Sequence, residues 1–331
     1  MTLELKATTD HTAGVATPAR PATVTIAEVF DQQTWDELMA AAPAPHLPQG
    51  FAYGEGKRAK GWTVRRVTFS ENSQILAFAT VLELRRFGIR LVSRVNRGPV
   101  FMSEAPDPAT ITAVHAALRR RWGRLPFGVL LIAPAIIATP EHDTALRAAG
   151  YRLRQRLSWM SGRITLGHDE ETLWKSFSST FRNRVRNAEK SGATLAVRQD
   201  DEAFAWMLAR HAENMQDKGF HAVDATFLNA MRAADPDAVR IFQMLDDGKP
   251  VAGMSVVRFG THCEYHIGWF GPEGRKLNAG NFLMWQIVRE MSRLGCTHFD
   301  VGGLKPGDGY TRFKRTMKPE EYALDGEWLS I

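Results

Sequence analysis

The sequence is poor in features that would place it quickly. Its 331 residues contain two cysteines, Cys263 and Cys296, with no CxxC around either. That excludes a disulfide scaffold and removes the usual zinc-ribbon and thioredoxin readings; a reducing, cytoplasmic setting fits this cysteine usage. The most apolar stretch, Phe127 to Ala138, contains Pro134 and falls well short of the ~20 residues needed to span a bilayer. Residues 1–23, MTLELKATTDHTAGVATPARPAT, lack the apolar core of a signal peptide and read as a disordered polar lead. No GxSxG or HExxH occurs and the ten histidines are scattered, so serine-hydrolase and zinc-hydrolase chemistry are not expected and no metal is called. His262 and His266 read as positions along a strand, THCEYHIGW, rather than as ligands. No 40-residue charged heptad segment is found, so no coiled-coil insertion is expected.

The remaining composition is that of an ordinary soluble protein, 44% apolar and 24% charged, and the length suits two domains. Charge is the first informative feature. The formal total is +6, yet the stretch from Arg147 to Arg198 alone holds eleven basic residues against four acids, a local +7 on a nearly neutral background. A one-sided basic surface argues for an anionic partner, whether phosphate, nucleic acid or membrane surface; the bland alternative is a solvated face.

Self-similarity fixes the architecture. The stretch Val64 to Leu84, VRRVTFSENSQILAFATVLEL, is echoed by Val239 to Phe259, VRIFQMLDDGKPVAGMSVVRF. Each is an apolar run, a polar turn and a second apolar run, which predicts a β-hairpin. A helical pattern closing in a short apolar strand follows each hairpin: ITAVHAALRRRWGRLPFGVLLIAP, then NFLMWQIVREMSRLGCTHFDVGG. The expectation is therefore an α/β (α+β) fold used twice, residues 24–160 and 161–331, each half a mixed sheet flanked by helices. This layout resembles the GNAT acyltransferase fold, in which parallel strands splay and the acyl donor enters between them.

Four stretches are candidates to carry chemistry. EETLWKSFSSTFRNRVRNAEKS, from about Glu170 to Ser191, predicts one helix capped by Asp169 and stopped by Gly192. On a helical wheel Arg184 falls on its apolar stripe, where it must pair with an acid or reach a cleft. Next, Arg275, Asn278 and Gly280 precede and open a helix, where backbone N–H groups favour anions. GNAT proteins hold the coenzyme A pyrophosphate at an R/Q-x-x-G-x-G/A loop there, and here Asn278 stands in the first glycine position, a residue that tolerates the left-handed conformation. Third, the strand ending at Asp300, followed by Gly302 and Gly303 and a loop carrying Lys305, Asp308, Arg312, Lys314 and Arg315, sets acid and base at the C-terminal end of a strand, where open α/β sheets collect ligands. Fourth, Gln49, Tyr53 and Lys57 recur at i, i+4 and i+8, although Gly50, Gly54 and Gly56 make this a poor isolated helix.

Taken in order, these stretches resemble the Fem family of non-ribosomal peptidyltransferases, which are tandem GNAT-fold proteins. The matching features are Gln49-Gly50-Phe51 through Lys57 to Gly61-Trp62, Arg97-Gly98-Pro99-Val100, FRNRVRNAEKSG, the strand around Tyr265, FDVGG and GYTRFKR, spanning roughly residues 47–318. The pattern QS-x-x-W is replaced by Gln49-Gly50-Phe51-Ala52-Tyr53. The resemblance implies transfer of an aminoacyl group from charged tRNA to an amine, most often on a cell-wall precursor carrying a diphosphate. It casts Gln49, Tyr53, Lys57, Arg97, Arg184, Tyr265, Arg312 and Lys314 as substrate contacts, the Arg312/Lys314 pair lying nearest the diphosphate.

An aminoacyl ester is already activated, so alignment and charge stabilisation are the main tasks. Asp300 is the candidate positioning acid in the second half, with Glu104 or Asp107 in the first. No tightly bound cofactor and no DNA partner are expected, and membrane contact is at most peripheral, at the inner face. The alternatives are an acyl-CoA-dependent N-acyltransferase, favoured if the Arg275–Gly280 loop cradles a pyrophosphate, and a catalytically silent RNA-binding protein that uses the basic helix.

Overall fold

The structure, a computed structural model of the chain, describes residues 24–123, 128–219 and 222–330. The lead called over residues 1–23 lies outside them. The first half runs β1 (Thr25–Glu28), α1 (Gln32–Ala41), α2 (Phe51–Ala59), β2 (Thr63–Glu71), β3 (Gln74–Arg86), β4 (Ile89–Asn96), a two-residue β5 (Val100–Phe101), α3 (Pro108–Trp122), β6 (Val129–Ala133), α4 (Pro140–Ala148) and β7 (Arg152–Thr165). Two helices, α5 (Glu170–Ser176) and α6 (Ser179–Lys190), link it to the second half. That half repeats the order: β8 (Thr194–Arg198), α7 (Asp201–Lys218), α8 (Ala225–Ala234), β9 (Val239–Asp246), β10 (Lys249–Phe259), β11 (His262–Phe270), a short α9 (Pro272–Lys276), α10 (Ala279–Arg293), β12 (His298–Asp300), α11 (Gly309–Arg315) and β13 (Glu320–Ser330).

The two expected hairpins are β2–β3 and β9–β10. All strands join one mixed sheet in the order β1-β2-β3-β4-β6-β13-β7-β12-β11-β10-β9-β8, with β5 attached to β3. The centre of that order was not visible in the repeat. Each half ends in a strand that crosses to the other: β13 pairs antiparallel with β6, β7 pairs antiparallel with β12, and the two lie side by side. A division between residues 160 and 161 falls inside β7. The parallel contacts are β4 with β6 (Val92↔Val129 to Asn96↔Ala133) and β11 with β12 (His262↔His298 to Glu264↔Asp300). Beyond Glu264, β11 continues against β10 alone, while the chain after Asp300 turns away. That parting of parallel strands is the place where a ligand can enter.

Apolar side chains are distributed accordingly. α10 buries an entire face, including Phe282, Leu283, Trp285, Ile287, Val288 and Met291, against the second-half sheet. α3 and α4 do the same for the first half through Ile111, Val114, Leu118, Trp122 and Leu146. A third cluster, with Trp35, Phe78, Met207, Phe227 and Ile241, joins α1, α2, α7 and α8 across the halves. The glycines of α2 serve this packing: a Cβ on Gly56 would lie 2.7 Å from the Phe227 ring of α8, and one on Gly54 2.6 Å from Arg66 Nη2. Low helix propensity is thus exchanged for close approach of α8 and β2. Among the described residues no helix is long and apolar enough to cross a membrane.

The single helix expected over 170–191 is two helices. Phe177 is extended (φ −72°, ψ 157°) and buried, and the Ser178 side chain accepts from Phe181 N at 3.1 Å to start α6. Arg182 Nη1 donates to the Lys175 and Phe177 carbonyls, satisfying groups at the end of α5. The Asp169 cap is as expected, accepting from Thr172 N at 2.9 Å. Phe181, Val185 and Ala188 form the buried stripe of α6, and Arg184, about 60° round the helix from Phe181, lies at the edge of that stripe and is exposed.

Candidate functional site

Where β11 and β12 part, a cavity of about 610 Å³ opens. Its floor is Glu264, Tyr265 and His266 of β11; Gly302 and Gly303 follow β12, and Tyr310 and Lys314 project from α11. The first half contributes Tyr53 from α2, Arg97 after β4 and Trp159 of β7. The site therefore belongs to both halves.

The Arg97 guanidinium reaches across to Glu264 with bonds of 2.9 and 3.3 Å and lies 4.2 Å from the centre of the Trp159 ring. Burial alone would lower its affinity for a proton, and the adjacent carboxylate more than offsets this; burial, in turn, holds the Glu264 carboxyl above the usual carboxylate range. Lys314 is 3% exposed, and its Nζ donates to the Gly303 carbonyl at 3.0 Å while sitting 5.2 and 5.1 Å from the Tyr265 and Tyr310 ring centres. Burial pushes its amine down to about 8, with Asp300 and Glu264 pulling back the other way. Tyr310 donates its hydroxyl proton to Tyr265 Oη at 2.8 Å; burial pushes the Tyr265 phenol up to about 12. Burial also takes His266 down to about 4, so it is a neutral imidazole at pH 7.

Tyr53, Arg97, Tyr265 and Lys314 are therefore brought together as called. Lys57 stands one turn beyond Tyr53, its Nζ 5.4 and 5.3 Å from the Tyr53 and Phe227 ring centres. Burial and the neighbouring Arg94 push its amine down, and among the described residues no carboxylate pairs with it. Two cations held close with one unanswered is an arrangement that an anion would relieve.

Other calls fall elsewhere. Gln49 is fully buried in a short 3-10 turn, Leu47–Gln49; its Nε2 donates to Asn96 O and its Oε1 accepts from Thr80 N, both at 2.6 Å. The amide bridges β3 and β4 where their ladder ends, so it is a structural wedge and not a substrate contact. Arg184 is exposed, as described above. Arg312 is also exposed, because positions i and i+2 of a helix point to opposite sides and Lys314 takes the inward one. Asp300 accepts from Ser161 Oγ, from Gly302 N at 2.8 Å and from Tyr322 Oη at 2.5 Å. With three donors it anchors the Gly302–Gly303 turn and shapes the cavity wall from behind. Asp107 is the N-cap of α3, accepting from Thr110 N at 2.9 Å and Thr110 Oγ1 at 2.7 Å. Glu104 borders a different cavity of about 460 Å³, beside Arg163, His298 and Tyr322, in the first-half counterpart of the β11–β12 notch.

Asn278 does adopt the left-handed conformation (φ 57°, ψ 33°) at the start of α10, as its position in the loop suggested. Arg275, Asn278 and Gly280 do not line the 610 Å³ cavity, however, and Phe313 of α11 packs so closely on Gly280 that a Cβ there would sit 3.3 Å from its ring. Glu264, Tyr310 and Trp159 were not singled out from the sequence, and His266 was read only as a position along a strand. For Glu264 a signal existed: a lone acid within an apolar strand, HCEYHIGWF, has to be answered by a cation once buried.

The comparisons with known proteins meet this geometry. Residues 175–315 match the family described as acetyltransferase (GNAT) domain. Among solved structures, the crystal structure of FemX superposes with a TM-score of 0.78 at 17% identity, covering 93% of this chain and 97% of that one. L-PGS from Bacillus licheniformis gives 0.54 at 14% identity and 91% of each chain. A tandem GNAT protein from the clavulanic acid biosynthesis pathway gives 0.51 at 13%, covering 93% and 98%. No curated protein matches in sequence. The fold is that of a tandem GNAT protein, and the match over residues 175–315 gives that segment the character of an acyltransferase domain. Within that class its fold is of the Fem type, as its ordered motifs suggested.

Proposed function

We propose that the protein transfers an aminoacyl group from aminoacyl-tRNA to an amine of a peptidoglycan precursor or related peptide, in the cavity where β11 and β12 part. The observation that carries this reading is a cavity lined by both halves, with Lys314, Arg97 and Tyr53 inside it and Lys57 Nζ 5.4 Å from the Tyr53 ring centre, set apart from a helix α10 start on which Phe313 packs. A pyrophosphate cradle at Gly280 would need that start open to the cavity; a charged tRNA needs only the room and the charge.

The chemistry needs no further group. The acceptor amine attacks the ester carbonyl, the C–N bond forms, the C–O bond to the ribose breaks, and the ribose hydroxyl leaves with the proton that the amine gives up. Arg97–Glu264 and Trp159 form a rigid wall that orients the reactants. Lys314, close to its proton-exchange range at neutral pH, supplies positive charge to the oxyanion. Lys57 beside Arg94 faces the acceptor's diphosphate. Arg184, Arg186 and Lys190, exposed on α6 and without carboxylate partners among the described residues, offer a contact for the tRNA backbone, and a charged-tRNA donor implies a cytoplasmic reaction.

A second reading, transfer from an acyl-CoA to an amine, is favoured by the acetyltransferase match over residues 175–315. Parallel incubations with charged tRNA and with labelled acetyl-CoA separate the two. Product from the tRNA alone supports the proposal, and product from acetyl-CoA alone overturns it.

A further inference from the structure

The end of β4 remote from the cavity carries a feature that the transfer reaction does not use. The β3–β4 hairpin turns at Phe87-Gly88, and Phe87 is 90% exposed. Leu84, Ile89 and Leu91 around it are exposed as well, so this one hairpin holds four of the seven large apolar side chains left exposed among the described residues. Both turn residues have positive φ, 51° at Phe87 and 77° at Gly88. Two-residue turns of this kind favour Asn-Gly or Asp-Gly, and a bulky aromatic at positive φ is strained. Neither the turn nor water favours phenylalanine at this position, and among the described residues no apolar cluster takes it in.

The charged residues at the tip of the same hairpin, Arg85, Arg86 and Arg90, are all of one sign. Arg85 and Arg90 sit directly opposite each other, an arrangement that weakens a hairpin. One buried acid, Glu83, answers both, at 2.8 and 3.7 Å. Arg86 has no carboxylate partner among the described residues and lies 5.3 Å from the Phe87 ring centre. Arg90 also donates to the Arg121 and Trp122 carbonyls at 3.5 Å, which fixes the hairpin against the last turn of α3 with its Arg119, Arg120 and Arg121. Apolar side chains at a tip ringed by arginines match a surface that is apolar beneath and anionic above.

We propose that this hairpin docks the protein on an anionic lipid bilayer, with Phe87 and its apolar neighbours in the interfacial layer and Arg85, Arg86, Arg90 and Arg121 against lipid phosphates. The proposal stands independently of which acyl group is transferred. The test is co-sedimentation of the full chain with phosphatidylcholine vesicles, with and without about one-third phosphatidylglycerol. Binding is expected to the anionic vesicles and to weaken sharply in about 0.5 M salt, where the Debye length falls to roughly 4 Å.

Phe87→Asn is the decisive variant, because Asn-Gly suits the turn. Its melting temperature is expected to match or exceed that of the parent, while its partition coefficient falls about ten-fold or more. Arg86→Ser is expected to lose roughly five-fold. Failure of the parent to bind anionic vesicles at low salt would overturn the proposal, as would undiminished binding by Phe87→Asn. Self-association of the parent that Phe87→Asn abolishes, with no vesicle binding, would overturn it in favour of a protein interface.

Discussion

Lys314 offers the sharpest opposition between stability and activity. The side chain is almost completely buried, and burial takes its amine from 10.5 to about 8. At pH 7 that depression corresponds to roughly 3 kcal/mol by which the charged lysine destabilises the fold. Lys314→Met keeps the volume and removes the charge. Set against about 1 kcal/mol for the lost bond to the Gly303 carbonyl, the variant should gain about 2 kcal/mol, or about 3 °C in Tm for a chain of this length. The gain has a defined pH range. Below about 8 the lysine is charged in both folded and unfolded states and the full difference appears; it shrinks as pH rises from about 8 toward 10.5, and above that the lysine is neutral in both. Aminoacyl transfer should meanwhile fall by about a hundred-fold or more, the scale of losing one preorganised charge at an oxyanion. Urea unfolding of both proteins at pH 7 and near pH 10, with transfer measured at pH 7, gives the comparison. A Lys314→Met protein less stable than the parent at pH 7, or one whose advantage does not change with pH, would refute the reasoning.

Three further perturbations follow from the same geometry. Glu264→Leu leaves the buried Arg97 guanidinium unpaired and should cost about 3–5 kcal/mol in denaturant unfolding, most of it recovered in the double variant Arg97→Met/Glu264→Leu; additive losses would show that the two are not coupled. Gln49→Ala strands Thr80 N and Asn96 O and should cost about 2–5 kcal/mol with kcat per folded molecule preserved, whereas a fall in kcat without loss of stability would return Gln49 to the substrate site. Arg184→Met, at an exposed position, should change stability by less than about 0.5 kcal/mol while raising KM for charged tRNA and flattening its salt dependence; an unchanged KM would remove α6 from the tRNA contact.

The duplicated architecture was legible because each half repeats the same change of hydrophobic period, from alternation in β2–β3 and β9–β10 to helical spacing in α3 and α10. The exchange of β7 and β13 was not, because a strand's own pattern says which face is buried and not which neighbour it joins. Tyr53, Arg97, Tyr265 and Lys314 converge as the motif order implied, yet residues near them in sequence separate for local reasons. Arg312 is turned outward by helical geometry, Gln49 is absorbed by two backbone groups at the end of a ladder, and Arg184 lies at the edge of the α6 stripe, where a long side chain reaches solvent. Asp300 illustrates a general difficulty: an acid at the end of a strand reads the same in sequence whether it faces a ligand or, as here, is saturated by a serine, a tyrosine and a backbone amide.

The central claim is that the aminoacyl end of a tRNA occupies the notch between β11 and β12 and not the start of α10. Hydrogen exchange with an amide-linked aminoacyl-adenosine, which mimics that end and does not turn over, tests it directly. Protection is predicted for residues 264–270 and 302–314, with residues 275–282 unchanged. Protection confined to residues 275–282, or protection there by coenzyme A and none anywhere by the adenosine analogue, would contradict it.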